Sequence, residues 1–395
     1  MPFADDQAPL AGIRVIEFSH MVMGPSTGVI LADLGADVIR IEPPGGDRTR
    51  HLLGSGAGYF PMFNRNKRSI CLDLKDPDGQ AAALALCDGA DVVVENFRPG
   101  TLDKLGLGAA ALRARNERLI FCSAKGFLDG PYDHRTALDE VTQMMGGLAY
   151  MTGPPGRPLR AGASVIDVTG GMFGVIGVLA AIERRHRTGQ GGEVKCALFE
   201  TTAFLVGQHM AQYAVTGQPA APMPARISAW AIYDVFETAR EGEEVFVGVV
   251  SDGQWKTFTE AFGLTDLAAD KSLALNNQRV QARDRILPTV RALFAGMSRE
   301  DAIARLEALG LPFAPIAKPQ DLFDDPHLVN SGGLVPLTVE GKLTHLPALP
   351  VSIDGERPGL RHDLREAGAD GADIIAELGL DGAVRDKLLA MQSGG

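Results

Sequence analysis

The sequence is poor in the features that announce a familiar chemistry. It has only four cysteines, at 71, 87, 122 and 196, and none is paired at metal-ligand spacing. Each lies in or beside an apolar run, the pattern of buried free thiols in a reducing compartment. The eight histidines are scattered, with no helical i, i+4 pair beside a carboxylate, so metal catalysis is disfavoured and no metal site is expected. No serine sits in a Gly-x-Ser-x-Gly elbow, which disfavours a serine hydrolase. Positive charge is in deficit: 38 Lys and Arg against 49 Asp and Glu give a net charge of −11. That balance argues against a nucleic-acid partner and leaves open a local basic pocket for a phosphorylated ligand. Long hydrophobic runs are missing too. The longest, at about 170–182, is short and glycine-rich for a membrane span, and the start of the chain lacks the basic and apolar regions of a signal peptide. A cytoplasmic protein without a membrane partner is expected.

What is present reads as a large soluble core. Hydrophobic residues make up 45% and charged residues 22%, and about 150 residues per domain gives two or three domains. Residues 13–18 read as a buried strand, 25–34 as a helix closed by Gly35, and 37–42 as a second strand. Strands at 68–74, 91–95 and 119–124, with a helix at 78–87 and short helical pieces at 102–107 and 110–116, continue the alternation. This is the pattern of an open α/β sheet with crossover helices. A helix at 140–151, a buried helix at 172–182, a strand at 192–197 and a helix at 199–215 follow. A Gly/Pro/Ala-rich stretch near 216–224 marks a boundary. Beyond it, strands at 230–237 and 244–250 and helices at 253–262, 280–293 and 299–309 suggest a small α+β domain. A second boundary falls at 312–330, and the tail carries short strands and a helix at 372–378. The expected domains are therefore 1–216, 225–325 and 331–395, the last completing the first.

The first β–α–β unit lacks a dinucleotide loop. The turn from Ser19 to Ser26 holds one glycine followed by a proline in place of Gly-x-Gly-x-x-Gly, so NAD is not expected.

Three stretches carry candidate chemistry. The Arg-Asn-Lys-Arg run at 65–68 concentrates Arg65, Lys67 and Arg68 before a strand, suited to clamping phosphate oxygens or, equally, a solvated basic loop. Asn96 and Arg98 follow a strand end, as does Lys125, and ligands of α/β sheets gather beyond the carboxyl ends of strands. Lys104 joins them as a candidate cofactor-binding residue, whereas Arg40, inside its strand, reads as structural. The third stretch, 162–173, sets Asp167 between an apolar run and the pair Gly170–Gly171. Asp167 admits two roles: a helix N-cap, or a nucleophile or base at the positive end of a helix.

Together these motifs resemble the class III coenzyme A transferases, the CaiB/BaiF family. The likeness rests on 10–18, 34–43, the Phe-Asn-Arg-Asn-Lys-Arg-Ser-Ile run at 63–70, the Glu-Asn-Phe-Arg-Pro-Gly run at 95–100, the Asp167 stretch, 185–192 and Ala314–Pro315. The resemblance implies a Rossmann-like large domain with a parallel sheet, a smaller inserted α+β domain and a homodimer of two interlocked chains, with an active site between domains that draws on both subunits. It implies coenzyme A and acyl-CoA as substrates, with no permanently bound cofactor. It makes Asp167 the nucleophile, which passes through a mixed anhydride and an aspartyl-CoA thioester, with backbone amides near Gly170–Gly171 or a glycine-rich loop serving the oxyanions. Related 2-methylacyl-CoA racemases carry a Gly-His-Asp motif; here Leu138 stands at the histidine's place and His134 is out of register. Formyl-CoA-type members carry a glycine-run loop, absent between 216 and 260. Arg157, Arg160 and Arg226 flank the stretch and are candidates for holding a second carboxylate, which, with the dicarboxylate members of the family, points to succinyl-CoA as donor and a short branched dicarboxylate as acceptor. The competing readings are an acyl-CoA racemase or isomerase and a non-catalytic CoA-binding protein.

Overall fold

The computed structural model describes residues 6–226, 228–380 and 382–392. The chain divides into two compact units, Met1–Pro224 with Asp325–Gly395, and Ala225–Asp324. The first unit begins with β1 (Arg14–Phe18), α1 (Met23–Asp33), β2 (Asp37–Glu42), α2 (Tyr59–Phe63), β3 (Lys67–Cys71), α3 (Pro77–Asp88), β4 (Val92–Glu95), α4 (Ala109–Arg115) and β5 (Ile120–Lys125). It continues with α5 (Asp139–Met145), α6 (Leu148–Thr152), α7 (Val165–Thr188), β6 (Gly192–Ala197) and α8 (Leu198–Thr216). The strands form one six-stranded sheet in the order β3-β2-β1-β4-β5-β6, parallel throughout. Because successive side chains point to opposite faces, each strand feeds two cores. Ile16, Phe18, Ile39, Ile70, Val93 and Phe121 pack on one face; Val15, Val38, Val92, Val94, Ile120 and Cys122 pack on the other, beneath α1 and α7.

Two helices differ from the sequence expectation. The segment at 140–151 is two helices, broken where Gly147 takes a φ of 84°, a conformation that glycine adopts without steric cost. The helix expected at 172–182 is the 24-residue α7, long and apolar enough by length and composition to cross a membrane. The argument from shortness therefore fails. One face of α7 lies in the core through Ile166, Val175, Val178 and Ile182. Gly171 sets its approach to α1, since a β-carbon there would meet Ser26 Cβ at 2.9 Å and Met23 O at 3.0 Å.

The second unit holds β7 (Ile232–Glu237), β8 (Glu244–Val249), α9 (Asp252–Ala261), α10 (Thr265–Ala269), α11 (Asn276–Gln281), α12 (Arg283–Ala295), α13 (Arg299–Ala308) and β9 (Phe313–Pro315). β8 lies between β7 and β9, antiparallel to both, over a core that includes Phe236, Phe258 and Phe294. Strand β9 comes from the proline-bearing stretch read as a boundary; three residues are too few to show alternation.

The tail returns to the first unit through α14 (Pro326–Asn330), the antiparallel hairpin β10 (Leu334–Val339) and β11 (Lys342–Pro347), α15 (Gly371–Glu377) and α16 (Gly382–Gln392). It covers the edge of the parallel sheet. Asp370 accepts from Ser69 N–H at 2.9 Å, and the Gln392 side chain pairs with both the N–H and the C=O of Cys71 at 2.8 Å. An edge strand that would otherwise offer free backbone groups is thereby closed.

Charges within and just before strands β1, β2 and β3 are buried and cross-paired. Lys67 Nζ lies 2.8 Å from Glu17 Oε2 and also donates to Pro25 O and the Asn64 side chain. Burial pushes Lys67 down to about 8 in spite of Glu17. Arg40 bonds Asp47, Asn64 and Ser19 O, in keeping with its structural reading. Arg65 is bidentate to Asp33, and Arg68 pairs with Asp37 and Glu377. The phosphate clamp expected of Arg65, Lys67 and Arg68 is therefore corrected. The first two are 2% exposed, and the guanidinium of the third is spent on carboxylates that tie β2 and the tail to β3.

Glu42 receives Arg50 at 2.6 and 2.8 Å, Ser69 at 2.7 Å and Asp47 N–H at 3.0 Å. Burial alone would raise its pKa, but Arg50 and its other partners hold it down at about 2. A carboxylate depressed on folding adds stability above its ordinary range near 4.5 that is lost as pH falls toward 2. Glu42→Gln is expected to cost about 3 kcal/mol in urea unfolding at pH 7, the loss seen when one partner of a buried pair is removed. The variant should also show a shallower fall in stability between pH 5 and 2. Wild-type stability at pH 7 would overturn this assignment.

Candidate active site

Strand order reverses between β1 and β4, so the loops leaving their carboxyl ends part and open a crevice, the usual ligand position in such sheets. The loop after β1 carries His20 and Met21, and Asn96 follows β4. Asn96 Nδ2 donates to His20 O at 2.8 Å and its Oδ1 accepts His20 N–H at 3.0 Å. On the other side Met21, at φ 62°, donates its N–H to Thr49 Oγ1 at 3.2 Å. Left-handed backbone at a non-glycine residue persists where surrounding bonds fix it, and both sides of this turn are fixed. Gly24 lets α1 start close by, since a β-carbon there would fall 2.8 Å from Asn96 Cγ.

Two cavities meet at that turn, and His20 and Met21 line both. The larger, of about 770 Å³, has apolar walls that include Pro43, Leu72, Leu74 and Phe97, with Arg48, Lys75 and Lys104 also lining it. These three cations are exposed and make no ion pair among the described residues. The smaller cavity, of about 360 Å³, contains Asp167, with Tyr59, Asn96, Lys125, Glu140 and Arg160 around it. Val22 and Met23, at the start of α1, line it as well, and no side chain caps that helix. Burial pushes the His20 imidazole below its ordinary value and outweighs Asp47, which pulls it up.

Asp167 is not the N-cap of its helix. α7 begins at Val165, which places Asp167 in the first turn, and the cap position belongs to Ser164, whose side chain makes no bond to the helix. The carboxylate of Asp139, at the start of α5, accepts Ile166 N–H at 2.8 Å and Asp167 N–H at 3.2 Å. The Asp167 carboxylate accepts no hydrogen bond among the described residues and projects into the cavity. Burial pushes its pKa up to about 7, the charge of Asp139 adds to the shift, and Arg160 opposes it. A carboxylate left without donors beside another carboxylate is basic for its kind, as a nucleophile or proton acceptor requires.

The expected site residues separate. Asn96, Lys125 and Asp167 share the smaller cavity, although Asn96 spends its amide on the His20 backbone. Lys125 Nζ is held by Glu95 at 2.5 Å and Phe97 O at 3.2 Å. Lys104 lines the larger cavity. Arg98 lines neither; it is exposed over a third cavity of about 380 Å³, which Lys125 and Lys195 also line. Arg65, Lys67 and Arg68 line none of the three. Of the arginines flanking the stretch, Arg160 reaches the Asp167 cavity, Arg157 is exposed and lines none of these cavities, and Arg226 belongs to the second unit. Gly170 and Gly171 lie within α7 and face α1, where they serve helix packing and not an oxyanion.

Sequence reasoning missed His20, Tyr59, Lys75, Arg48, Asp139 and Glu140. His20 and Lys75 follow strand ends, so the rule that picked Asn96 and Lys125 would have found them. Nothing local ties Asp139 to α7, since its bonds to that helix reach residues 27 and 28 positions away.

The CoA-transferase family III model matches residues 10–370. The chain is 33% identical over 385 residues to the succinate–glutarate CoA-transferase of Agrobacterium fabrum, covering 94% of this chain and 96% of that protein. It is 34% identical over 377 residues to the acetyl-CoA:oxalate CoA-transferase of Acetobacter aceti, covering 90% and 93%. The crystal structure of a CaiB/BaiF family protein from Brucella suis matches with a TM-score of 0.82 at 32% identity, over 94% of this chain and 99% of that one.

The environment of Asp167 carries a stability signature. An acid raised on folding favours the native state below its unfolded value and loses that advantage as pH rises through the folded value, here about 7. Asp167→Asn is therefore expected to be more stable than wild type at pH 8.5, by at least about 1 kcal/mol, with the gap closing below pH 4. Thermal or urea unfolding at both pH values checks this; an unchanged or negative gap at pH 8.5 would show the carboxylate to be well solvated.

Proposed function

The chain belongs to CoA-transferase family III, and we propose that it moves coenzyme A from a short dicarboxylic acyl-CoA to a free carboxylic acid through covalent adducts of Asp167. The observation that carries this reading is the position of Asp167, unbonded and raised toward neutrality in a cavity that meets a second, cation-lined one at His20 and Met21. The larger cavity suits a nucleotide, with apolar walls for a base and Arg48, Lys75 and Lys104 for phosphates. The thioester would then pass the His20–Met21 turn and end at Asp167.

The chemistry balances without an external acid or base. An Asp167 oxygen attacks the thioester carbonyl, the C–S bond breaks, and CoA leaves as thiolate. The thiolate attacks Cγ of Asp167 in the mixed anhydride, the donor acid leaves as carboxylate, and an aspartyl-CoA thioester remains. The acceptor carboxylate repeats both steps in reverse order and restores Asp167. The first-turn amides of Met23 and Gly24, at an uncapped helix start beside the cavity, are suited to the oxyanions. A racemase reading finds less support: Leu138 lines the Asp167 cavity without a base, and His134 lines the third cavity instead.

Arg160 is the group we assign to the distal carboxylate of a dicarboxylic substrate, because it lines the Asp167 cavity and its guanidinium is available by exchange from exposed Glu140, 2.5 Å away. The names of the relatives above include the dicarboxylates succinate, glutarate and oxalate, beside acetyl-CoA in the second.

A homodimer is part of the proposal. Met172, Ile176 and Leu179 repeat along one exposed face of α7, and Phe204, Met210 and Tyr213 are exposed on α8, a set of large apolar side chains that water would not favour. A second copy of the chain is the occupant we assign to it.

Incubation with succinyl-CoA should leave a hydroxylamine-sensitive adduct on Asp167 by mass spectrometry, and Asp167→Ala should lose transfer by at least about 10³-fold; an active alanine variant sinks the mechanism. In a panel of mono- and dicarboxylic acids, Arg160→Met should raise KM for succinate about tenfold and leave that for butyrate unchanged. Equal effects on both acids would remove Arg160 from this role.

Light scattering at micromolar concentration should give twice the mass of one chain, and the double variant Ile176→Glu, Phe204→Glu should give one. A monomeric wild type would refute the pairing.

A further inference from the structure

The helix that carries Asp167 is held at its start by a residue of another helix. Asp139 is 6% exposed, and Oδ2 takes both N–H bonds from α7. Its Oδ1 accepts the Gln143 side-chain amide at 2.5 Å, and Gln143 in turn accepts Ala161 N–H at 2.8 Å. Thr142 and Gln143 beside it are fully buried. The loop before α7, the first turn of α7 and the start of α5 are thus joined through one carboxylate.

We propose that Asp139 is a positioning residue for the transfer reaction: it fixes the Asp167 backbone by capping α7 from outside, and it sets a second carboxylate against the nucleophile, a repulsion that acylation relieves. This rests on the reading of Asp167 as the acylated group. Among the described residues, Asp139 has three N–H donors on its two oxygens and Asp167 has none on its carboxylate. The other ionisable groups facing Asp167 are Glu140 of α5, Arg160 of the preceding loop, His20 after β1, Lys125 at the end of β5 and Tyr59 of α2. Arg160, the cation that opposes the rise at Asp167, is compromised, since it is bound by Glu140 and stands 3.9 Å from Asp139. Free Asp167 therefore meets a like charge with little compensation, while its anhydride and thioester carry no charge and meet none. Asp139 favours the adducts over the resting enzyme and keeps the attacking oxygen basic.

Asp139→Asn separates the two parts. Its side-chain oxygen still accepts the α7 amides, but the charge is gone. The acid limb of kcat/KM, expected near pH 7 in wild type, should fall by about one pH unit, the scale of a single neighbouring charge. The fraction of enzyme acylated by succinyl-CoA without acceptor should fall about tenfold, the same shift read as an equilibrium. Asp139→Glu keeps the charge and displaces the cap; it should keep the acid limb and lose kcat, and it serves as the test if the asparagine variant does not fold. A wild-type acid limb and wild-type adduct level in Asp139→Asn would overturn the proposal, as would an acid limb lowered in Asp139→Glu. A wild-type enzyme that forms no Asp167 adduct would instead overturn the nucleophile reading, so the two failures are distinct.

Discussion

The first unit depends on charge buried within its first three strands. Glu17, Arg40, Glu42 and Lys67 are each at most 2% exposed, and an unpaired charge in such a place would be costly. The pairing crosses strands: Lys67 of β3 answers Glu17 of β1, Arg40 of β2 bonds Asn64 and Asp47, and Arg50 returns to Glu42 of β2. Such networks are weak evidence of net stability, since burying the ions offsets their attraction. Their consequence is geometric. A sheet end built from apolar residues would let its loops take many conformations, whereas these bonds admit one.

That geometry reaches the candidate site through short links. Asp47 accepts Thr49 N–H and Oγ–H, and Thr49 in turn accepts Met21 N–H. Arg40 holds Ser19 O one residue before His20. From the β4 side Asn96 grips both backbone groups of His20. The turn between the two cavities is therefore held by the buried ions on one flank and by a side-chain amide on the other. A basic run that looks like a ligand clamp in the sequence instead acts one layer below the ligand, where Lys67 and Arg65 hold the frame.

The alternation of Val/Ile runs with helices made the parallel sheet legible, because period, length and short connections all agree for β1, β2, β4, β5 and β6. The strand-end rule located Asn96, Lys125 and the neighbourhood of the site. The basic run misled at Arg65, Lys67 and Arg68 because composition shows charge but not its partners: Asp33 and Glu17 lie 32 and 50 residues away in sequence. The start of α7 was misplaced because Gly170 and Gly171 suggest a break, whereas tight packing on α1 puts them inside a helix. Asp167 looked like a cap for the same reason. Once the helix starts at Val165, the cap must come from elsewhere, and only the folded chain shows Asp139 in that place.

In the proposed mechanism, the arrangement around Asp167 bears on why a carboxylate, ordinarily a weak nucleophile, would suit the chemistry. A mixed anhydride lies far above a free carboxylate in water, so an enzyme that forms one gains by raising the carboxylate as well as by stabilising the transition state. Burial and the charge of Asp139 act in that direction, as does the lack of hydrogen-bond donors among the described residues, and Arg160 opposes them. Glu140 draws that guanidinium to itself at 2.5 Å. In the reading proposed above, a dicarboxylic substrate would take the place of Glu140 and hold Arg160 through its distal group, so that the cation would stay engaged away from Asp167 while the proximal carbonyl is attacked. A monocarboxylic acyl chain has no such group and would leave the Arg160–Glu140 pair as it stands. Substrate choice and nucleophile strength would then be set by the same guanidinium, because each carboxylate it binds is one that Asp167 must do without.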